Sequence, residues 1–234
     1  MMYEKAKIRP CGDSTLLVEI GNVISPQIHK KVRSLFLALE KESIHGINDL
    51  LPTYCAILIY YDYRLINFAQ IEEKIETLSE HLKELPQEKA KTVEVPTVYG
   101  GKYGPDLKAV AQHNSLTLQE VIDIHSNTVY PVYMIGFTPG FPYLGGMSDK
   151  IITPRLESPR AFIHAGSVGI AGNQTGIYPQ ESPGGWRIIG RTPLRLFDAH
   201  RQPPCLLNPG DFMQFMPINQ DLFINMEQQF QDEQ

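Results

Sequence analysis

Glycine and proline crowd into the second half of this chain and limit what it can fold into. Eleven of the 18 glycines lie between residues 136 and 190, and twelve of the 18 prolines lie between residues 131 and 217. Turns must therefore recur every few residues, and a long helix does not fit between them. The apolar pieces that remain are short, at residues 132–137, 162–163, 168–171, 187–189, 194–197 and 212–215. Short strands separated by turns predict a β-barrel or a β-sandwich.

The first 80 residues show a different pattern, in which strand and helix signals alternate. Period-two apolar positions predict a strand at residues 14–20, and a nearly continuous apolar run predicts another at residues 55–61. An amphipathic helix follows each strand, the first with Ser25 as N-cap and Pro26 at its first position, the second capped by Asn67. Their apolar stripes are Ile28, Val32, Leu35 and Leu39 in the first helix and Phe68, Ile71, Ile75 and Leu78 in the second. This predicts a small α/β layer.

A charged, proline-containing segment at residues 79–91 separates the two patterns and predicts a crossing between domains. We place the boundary so that residues 1–85 form the small α/β domain and residues 86–234 form the β-rich domain. One helix is expected in the second domain, because Thr117 and Glu120 form a capping box ahead of an apolar stripe.

Charge and composition argue against several functional classes. The chain has 21 basic and 26 acidic residues, a net charge of −5 and a sequence pI of about 5.8, which disfavours nucleic acid or an anionic membrane as a partner. The longest apolar run, residues 56–60, is far shorter than the roughly 20 residues of a membrane helix. The first residues lack the apolar stretch of a secretory signal, so we expect a cytoplasmic protein.

Familiar metal and nucleotide motifs are missing from the sequence. The three cysteines show no CxxC spacing and the seven histidines no HExxH pattern, so no metal site is predicted. Gly101 and Lys102 lack the flanking residues of a Walker A loop, so no nucleotide-binding loop of that type is predicted.

Arginine is concentrated in the glycine-rich part. Between residues 151 and 210 there are six arginines, no lysine and three acids, which gives a local charge of +3. Arginine presents a planar fork of donors that pairs with carboxylate or phosphate, so this bias predicts a site for a small anion. The alternative is structural, because arginines in loop-rich β domains also donate to loop carbonyls.

Two turns could shape such a site. Pro139 and Gly140 fit the central positions of a type II turn, with Phe137 beside them as an aromatic wall. A second turn spans residues 182–186 and contains Ser182, Gly184, Gly185 and Trp186. Its paired glycines let backbone N–H groups approach a ligand, and Arg191 and Thr192 follow soon after. The alternative is that both are tight barrel corners with an aromatic plug.

Two further side chains are ambiguous from sequence. His125 has helical spacing from Val121, which places it on an apolar face, either as a core histidine or as a catalytic one. Ser167 lacks the first glycine of a GxSxG elbow, and no helix pattern follows it. A serine nucleophile is therefore disfavoured.

Four segments taken together resemble a known family. They are HSNTVYPVYMIGFTPGFPYLGG at residues 125–146, PRLESPR at 154–160, AGSVGIAGNQTGIYPQESPGGWRIIGRTPLRLFD at 165–198 and LLNPGDFMQF at 206–215. They resemble the 5-oxoprolinase B subunit, a family also known as allophanate hydrolase subunit 1 and as KipI-like sporulation-kinase inhibitors. The resemblance implies an α+β protein, with a small N-terminal α/β (ferredoxin-like) domain and a C-terminal cyclophilin-like β-barrel. His164 departs from it, because the family usually has proline there.

The resemblance also implies a reaction and partners. The family hydrolyses 5-oxo-L-proline to L-glutamate in a complex that uses ATP, with a C-subunit-like barrel protein and a lactam-utilising A-subunit-like protein. Alternatives are a KipI-like inhibitor of a sensor histidine kinase, which would be a protein-binding module, and allophanate hydrolase subunit 1. For the enzyme, we predict that His125, Gln174 and Arg191 are catalytic. The predicted residues for binding a small anionic substrate are Phe137, Pro139, Gly140, Arg155, Arg160, Ser182, Gly184, Gly185, Trp186 and Thr192.

Overall fold

The computed structural model describes residues 1–81 and 90–232. Contacts divide the chain into two compact units, residues 1–89 and 90–234. The boundary predicted between residues 85 and 86 lies outside the described residues. Among the described residues, no helix combines the length and the apolar character needed to span a bilayer.

The first unit contains a four-stranded antiparallel sheet and two helices. Its elements in chain order are β1 (Met2–Pro10), β2 (Thr15–Gly21), α1 (Pro26–Glu42), β3 (Ile47–Pro52), β4 (Ala56–Tyr61) and α2 (Phe68–His81). The strands lie in the order β1-β2-β4-β3, and each neighbouring pair is antiparallel. The two central strands are those predicted from the sequence, whereas the two edge strands were not predicted. Edge strands are hard to recognise because they are mostly exposed and lack a clear apolar alternation, as β1 shows.

Both helices of this unit begin as the sequence predicts. The backbone N–H of Ile28 donates to Ser25 Oγ at 3.2 Å at the start of α1, and the N–H of Gln70 donates to Asn67 Oδ1 at 3.0 Å at the start of α2. The stripe of α1 is buried in full, at Ile28, Val32, Leu35 and Leu39. It packs into one apolar core with the inner faces of β2 and β4. Capping residues and apolar periodicity therefore position these elements.

The second unit is built around a strongly curved sheet. Its elements are β5 (Thr92–Tyr99), α3 (Leu107–His113), α4 (Leu118–Ser126), β6 (Val129–Ile135), β7 (Pro142–Leu144), β8 (Arg160–Ile163), β9 (Ser167–Ala171), β10 (Gln174–Ile177), β11 (Ser182–Gly184), β12 (Arg187–Arg191), β13 (Phe212–Pro217) and α5 (Gln220–Asp232). Seven strands lie in the order β10-β9-β12-β5-β13-β6-β7, and β13 runs parallel to β5. The end strands β7 and β10 lie side by side, so the sheet nearly closes into a barrel. This architecture fits the expected cyclophilin-like barrel.

Sequence patterns predict some elements of this unit correctly and miss others. Residues 131–217 contain strands, turns and one short 3-10 segment at Asp149–Ile151, as the glycine and proline density requires. The capping box of α4 is present, because Thr117 N donates to Glu120 Oε2 at 2.8 Å and Glu120 N donates to Thr117 Oγ1 at 3.2 Å. The apolar piece at residues 194–197 is not a strand, since it makes only one isolated bridge. The expectation of one helix in this unit is wrong, because α3 and α5 are also present. Asn219 Oδ1 caps α5 by accepting from Leu222 N at 2.8 Å.

Candidate functional site

A cleft of about 400 Å³ opens on the second unit. Its wall is formed by the loop after β5, by β8, by the ends of β9 and β12, and by α5. The titratable side chains that line it include Lys102, Arg160, His164, Arg191 and Glu227. Tyr103, Phe162 and Ser167 are also part of the lining. We call this feature the cationic cleft, because its lining contains more basic than acidic side chains.

Arg160 is held at the cleft by a buried carboxylate. Its Nη2 donates to Asp106 Oδ1 at 2.8 Å, and Asp106 Oδ2 accepts from the backbone N–H of Ile188 at 2.7 Å. A weaker contact of 3.4 Å joins Arg160 Nη1 to the carbonyl of Trp186. Asp106 is buried, so the guanidinium is fixed in position and most of its charge is balanced. Asp106 precedes α3 but makes no side-chain cap, because its oxygens are used in these contacts.

Arg191 ends strand β12 and is oriented from three sides. Its Nε donates to the carbonyl of Ala165 at 2.8 Å, and its Nη2 lies 3.2 Å from Glu227 Oε1. The guanidinium carbon lies 5.7 Å from the ring centre of Phe223. Both members of the Arg191–Glu227 pair are partly exposed, at 24% and 36%, so solvent weakens their attraction.

Lys102 is the third basic side chain of the cleft. Its Nζ lies 5.0 Å from the ring centre of Tyr103, and Tyr103 packs on Phe223 at 4.6 Å between ring centres. No acidic side chain of the described residues forms an ion pair with Lys102. The cleft therefore keeps one uncompensated lysine charge beside two partnered arginines.

The predicted turn at residues 182–186 begins with β11, the strand that pairs with β8. Strand β11 pairs with β8, which aligns Ser182 with Ile163 and Gly184 with Arg160. A Cβ at Gly184 would collide with the Tyr178 hydroxyl, so glycine is required by space. The carbonyl of Gly185 accepts from Leu156 N at 2.8 Å and fixes the turn. None of Ser182, Gly184 and Gly185 is part of the cleft lining.

The loop with Pro139 and Gly140 forms the predicted tight turn. Phe141 N donates to the carbonyl of Thr138 at 3.0 Å, and Gly140 has φ +81°, as a type II turn requires. Phe137 is 74% exposed with φ +66°. Phe141 is buried and forms edge-on contacts with Phe137, Tyr143, Tyr178 and Trp186. Phe137 and Trp186 therefore belong to an aromatic cluster around Phe141, Pro139 and Gly140 form the turn next to it, and none of these four residues lines the cleft.

Other predicted site residues are scattered. Arg155 is exposed and Thr192 is buried, and neither lines the cleft. Gln174 begins β10 and is partly buried. Arg187 and Arg201 donate to loop carbonyls, which is the structural role that was the alternative from sequence. Of the predicted set, Arg160 and Arg191 are the two that the cleft brings together.

His125 lies in the barrel core with both ring nitrogens bonded. Tyr99 Oη is 2.8 Å from Nδ1, and Thr175 Oγ1 is 2.8 Å from Nε2. Because the Thr175 hydroxyl donates to the carbonyl of Gly169 at 3.0 Å, its oxygen is left to accept from Nε2–H, and Nδ1 accepts from Tyr99. Burial lowers the pKa of His125 to about 3, which keeps the ring neutral. The catalytic role of His125 stays a prediction, and this geometry favours the core alternative.

Several cleft residues were not selected from sequence. In the sequence, Lys102 belongs only to an incomplete nucleotide-loop pattern, and His164 stands out only as a departure from the family. Glu227 and Asp106 come from elements far apart along the chain, on α5 and before α3. Their partners are set by the tertiary fold, so no local pattern could have identified them.

A larger groove of about 680 Å³ on the first unit is lined by a mixture that includes Glu42, Glu73 and Lys74. None of the predicted site residues lies there. No group of three or more His, Cys, Asp or Glu side chains that could hold a metal ion is found within residues 1–81 and 90–232. The candidate site is therefore the cationic cleft.

Comparison with known proteins places the chain in a family. Residues 6–207 match the family model "Carboxyltransferase domain, subdomain C and D". The chain is 41% identical over 229 residues to the 5-oxoprolinase B subunit of Bacillus subtilis, covering 94% of this chain and 95% of the relative. The chain belongs to the 5-oxoprolinase B subunit family. A second relative of the same name, from Haemophilus influenzae, is 37% identical over 89% of this chain and 96% of the relative.

A solved structure agrees with the fold. The TTHA0988 protein superposes with a TM-score of 0.77 at 35% identity and covers 91% of this chain. This chain spans 40% of the length of that protein. The family fold therefore also occurs as one part of a longer polypeptide.

Proposed function

We propose that this chain is the B subunit of an ATP-dependent 5-oxoprolinase complex that hydrolyses 5-oxo-L-proline to L-glutamate. The observation that carries the proposal is the 41% identity, over nearly the full length of both chains, to a protein named as the B subunit of 5-oxoprolinase. The cationic cleft supports it, because 5-oxoproline carries one carboxylate and the cleft offers Lys102 and Arg191 for an anion.

Binding of the substrate carboxylate is the role we assign to the cleft. Lys102 has no acidic partner among the described residues and supplies a mobile ammonium. Arg191 is oriented by the carbonyl of Ala165, and its terminal nitrogens, one of which lies beside Glu227, face the ligand. Arg160 is fixed by Asp106, so it shapes the wall and contributes a largely balanced charge. Phe162 supplies apolar surface for a small ring.

The chemistry of ring opening sets what the rest of the complex must supply. The lactam C–N bond breaks, the oxygen of water joins the carbonyl carbon, and the nitrogen leaves as an amine that takes a proton. Resonance makes this amide unreactive, so ATP serves to activate the carbonyl oxygen. We assign this use of ATP to the assembled complex, in which the present chain binds and orients the substrate.

Partner proteins follow from the same proposal. We propose that the chain works with a C-subunit-like barrel protein and a lactam-utilising A-subunit-like protein. We also propose a ferredoxin-like relationship for the first unit. It is supported by the strand order β2-β4-β3, with α1 between β2 and β3 and α2 after β4, while β1 holds the fourth position in the sheet. Allophanate hydrolysis and KipI-like kinase inhibition stay predictions that no contact described above favours.

The test is ATP-dependent 5-oxoproline hydrolysis by the reconstituted three-protein complex. Arg191→Ala should raise KM for 5-oxoproline about tenfold or more, because a charge-assisted contact of roughly 1.5–3 kcal/mol is lost. Arg195→Ala is the matched control, since Arg195 is exposed and does not line the cleft. Unchanged kinetics for Arg191→Ala would refute the assigned cleft, and a wild-type complex without activity would refute the reaction.

A further inference from the structure

Helix α5 brings an acidic side chain into a cleft that is otherwise basic. Phe223 anchors the helix, because it is fully buried and packs on Tyr103. Glu227 comes four residues later and therefore lies on the same face of the helix. Its carboxylate reaches Arg191, with Oε1 3.2 Å from Nη2. Helix α5 thus places a carboxylate at the arginine that we assign to the substrate.

Glu227 has a distinct place in the charge balance of the cleft. Of the described residues that line the cleft, it is the single acid. Arg160 already has Asp106 as its buried partner, so Glu227 acts on Arg191. Without Glu227, both Lys102 and Arg191 would present unbalanced charges to a ligand.

The donors of Arg191 explain why the two carboxylates compete. A guanidinium can bind a carboxylate with two parallel bonds through Nε and one terminal nitrogen, or through both terminal nitrogens. The carbonyl of Ala165 already takes Nε at 2.8 Å, so only the end with both terminal nitrogens remains. Glu227 lies at one of these nitrogens. A ligand carboxylate that approaches this end of Arg191 therefore meets the negative charge of Glu227 at close range unless Glu227 moves away.

We propose that Glu227 is an internal competitor for the ligand carboxylate at Arg191 and so determines the affinity and selectivity of the cationic cleft. This inference rests on the proposed carboxylate-binding role of the cleft. An anion that makes a single contact does not displace Glu227 efficiently. A ligand that adds a second contact, at Lys102 or on the ring of Phe162, does displace it. The partly exposed Arg191–Glu227 pair is weak enough to exchange in this way.

The first experiment measures binding to the full-length chain in a buffer of low chloride concentration. The probes are 5-oxo-L-proline and, separately, inorganic phosphate, and binding is followed by NMR titration. Glu227→Gln should bind 5-oxo-L-proline about three- to tenfold more tightly than the wild type, because the competing carboxylate is gone. Asp221→Asn removes the same charge from the same helix outside the cleft, so its affinity should stay within about twofold of wild type.

The second experiment separates competition at Arg191 from a general effect of charge. The gain from Glu227→Gln should disappear in an Arg191→Gln background, because the contested donor is then absent. An equal gain in that background, or an affinity of Glu227→Gln no tighter than wild type, overturns the inference while leaving the cleft as a binding site. Absence of binding by wild type and Glu227→Gln alike overturns both the inference and the proposed carboxylate site.

Discussion

Replacing His125 by glutamine should make the second unit less sensitive to acid. The imidazole is fully buried, and its pKa is lowered to about 3 by loss of hydration from an ordinary value of 6.5. In the unfolded chain the ring is exposed and returns to that ordinary value. Between these two pH values the unfolded state therefore binds one proton more than the folded state, and acid favours unfolding. The stability linked to His125 is complete above pH 6.5 and is lost as the pH falls.

The magnitude follows from the two pKa values. Each unit of difference corresponds to about 1.4 kcal/mol, so lowering the pH from about 8 to about 5 should remove about 2 kcal/mol of unfolding free energy through His125 alone. Glutamine keeps one donor for Thr175 and one acceptor for Tyr99, and it does not titrate. The variant is expected to be less stable at the higher pH, because glutamine fills the ring site imperfectly. The decrease in its unfolding free energy across the same pH range should be about 2 kcal/mol smaller than that of the wild type.

Urea unfolding followed by tryptophan fluorescence measures this difference. Trp186 is the single tryptophan and lies in the second unit, so its emission reports on the unit that contains His125. His113→Gln is the matched control, because it makes the same substitution at an exposed position of the same unit. An equal pH dependence in wild type and His125→Gln would refute the assignment of a neutral, buried ring. A nitrogen NMR shift of Nδ1 that stays that of an unprotonated ring nitrogen in mild acid would support it independently.

Substitutions at Gly140 and Thr117, each with a control, test the turn chemistry and the capping box. Gly140→Ala should destabilise the second unit by about 1–3 kcal/mol, because φ is +81° and the new Cβ would lie 2.7 Å from Phe197 Cβ. Gly172→Ala is the control, because Gly172 has φ +59° with open space around it, and it should lower the unfolding free energy by less in the same urea assay. An equal loss of unfolding free energy would mean that the contact with Phe197 contributes nothing. Thr117→Ala should lower the unfolding free energy by about 1 kcal/mol, and Thr117→Ser should lower it much less, because serine keeps the capping hydroxyl. Equal losses for the two variants would contradict the capping role of the hydroxyl.

Local signals in the sequence were sufficient where one residue or one periodic stripe determines an element. Ser25 and Asn67 mark helix starts because their side chains accept from backbone donors within three residues. Pro139 and Gly140 define a turn because their backbone preferences leave few alternatives. The edge strands β1 and β3 were missed because pairing with β2 and β4 stabilises them, and their own side chains carry little apolar pattern.

The sequence indicated that a site for an anion would contain arginine, but it did not indicate which arginines line the cleft. The arginine bias pointed to a basic cleft, yet the same residue type also fixes loops, as Arg187 and Arg201 do. Arg160 and Arg191 line the same cleft although β8 pairs with β11 in a separate two-stranded sheet and β12 belongs to the seven-stranded sheet, which no sequence spacing reveals. His125 illustrates the opposite difficulty, because an apolar helix face is equally compatible with a catalytic ring and with a core ring.

Asp106 and Glu227 lower the positive charge of the cleft in two different ways. Asp106 is buried and accepts two hydrogen bonds, so its removal would leave Arg160 without this partner and would disturb the wall. Glu227 is partly exposed on α5, so it can leave Arg191 without loss of fold. One acid therefore maintains the shape of the cleft, and the other controls how much positive charge a ligand meets.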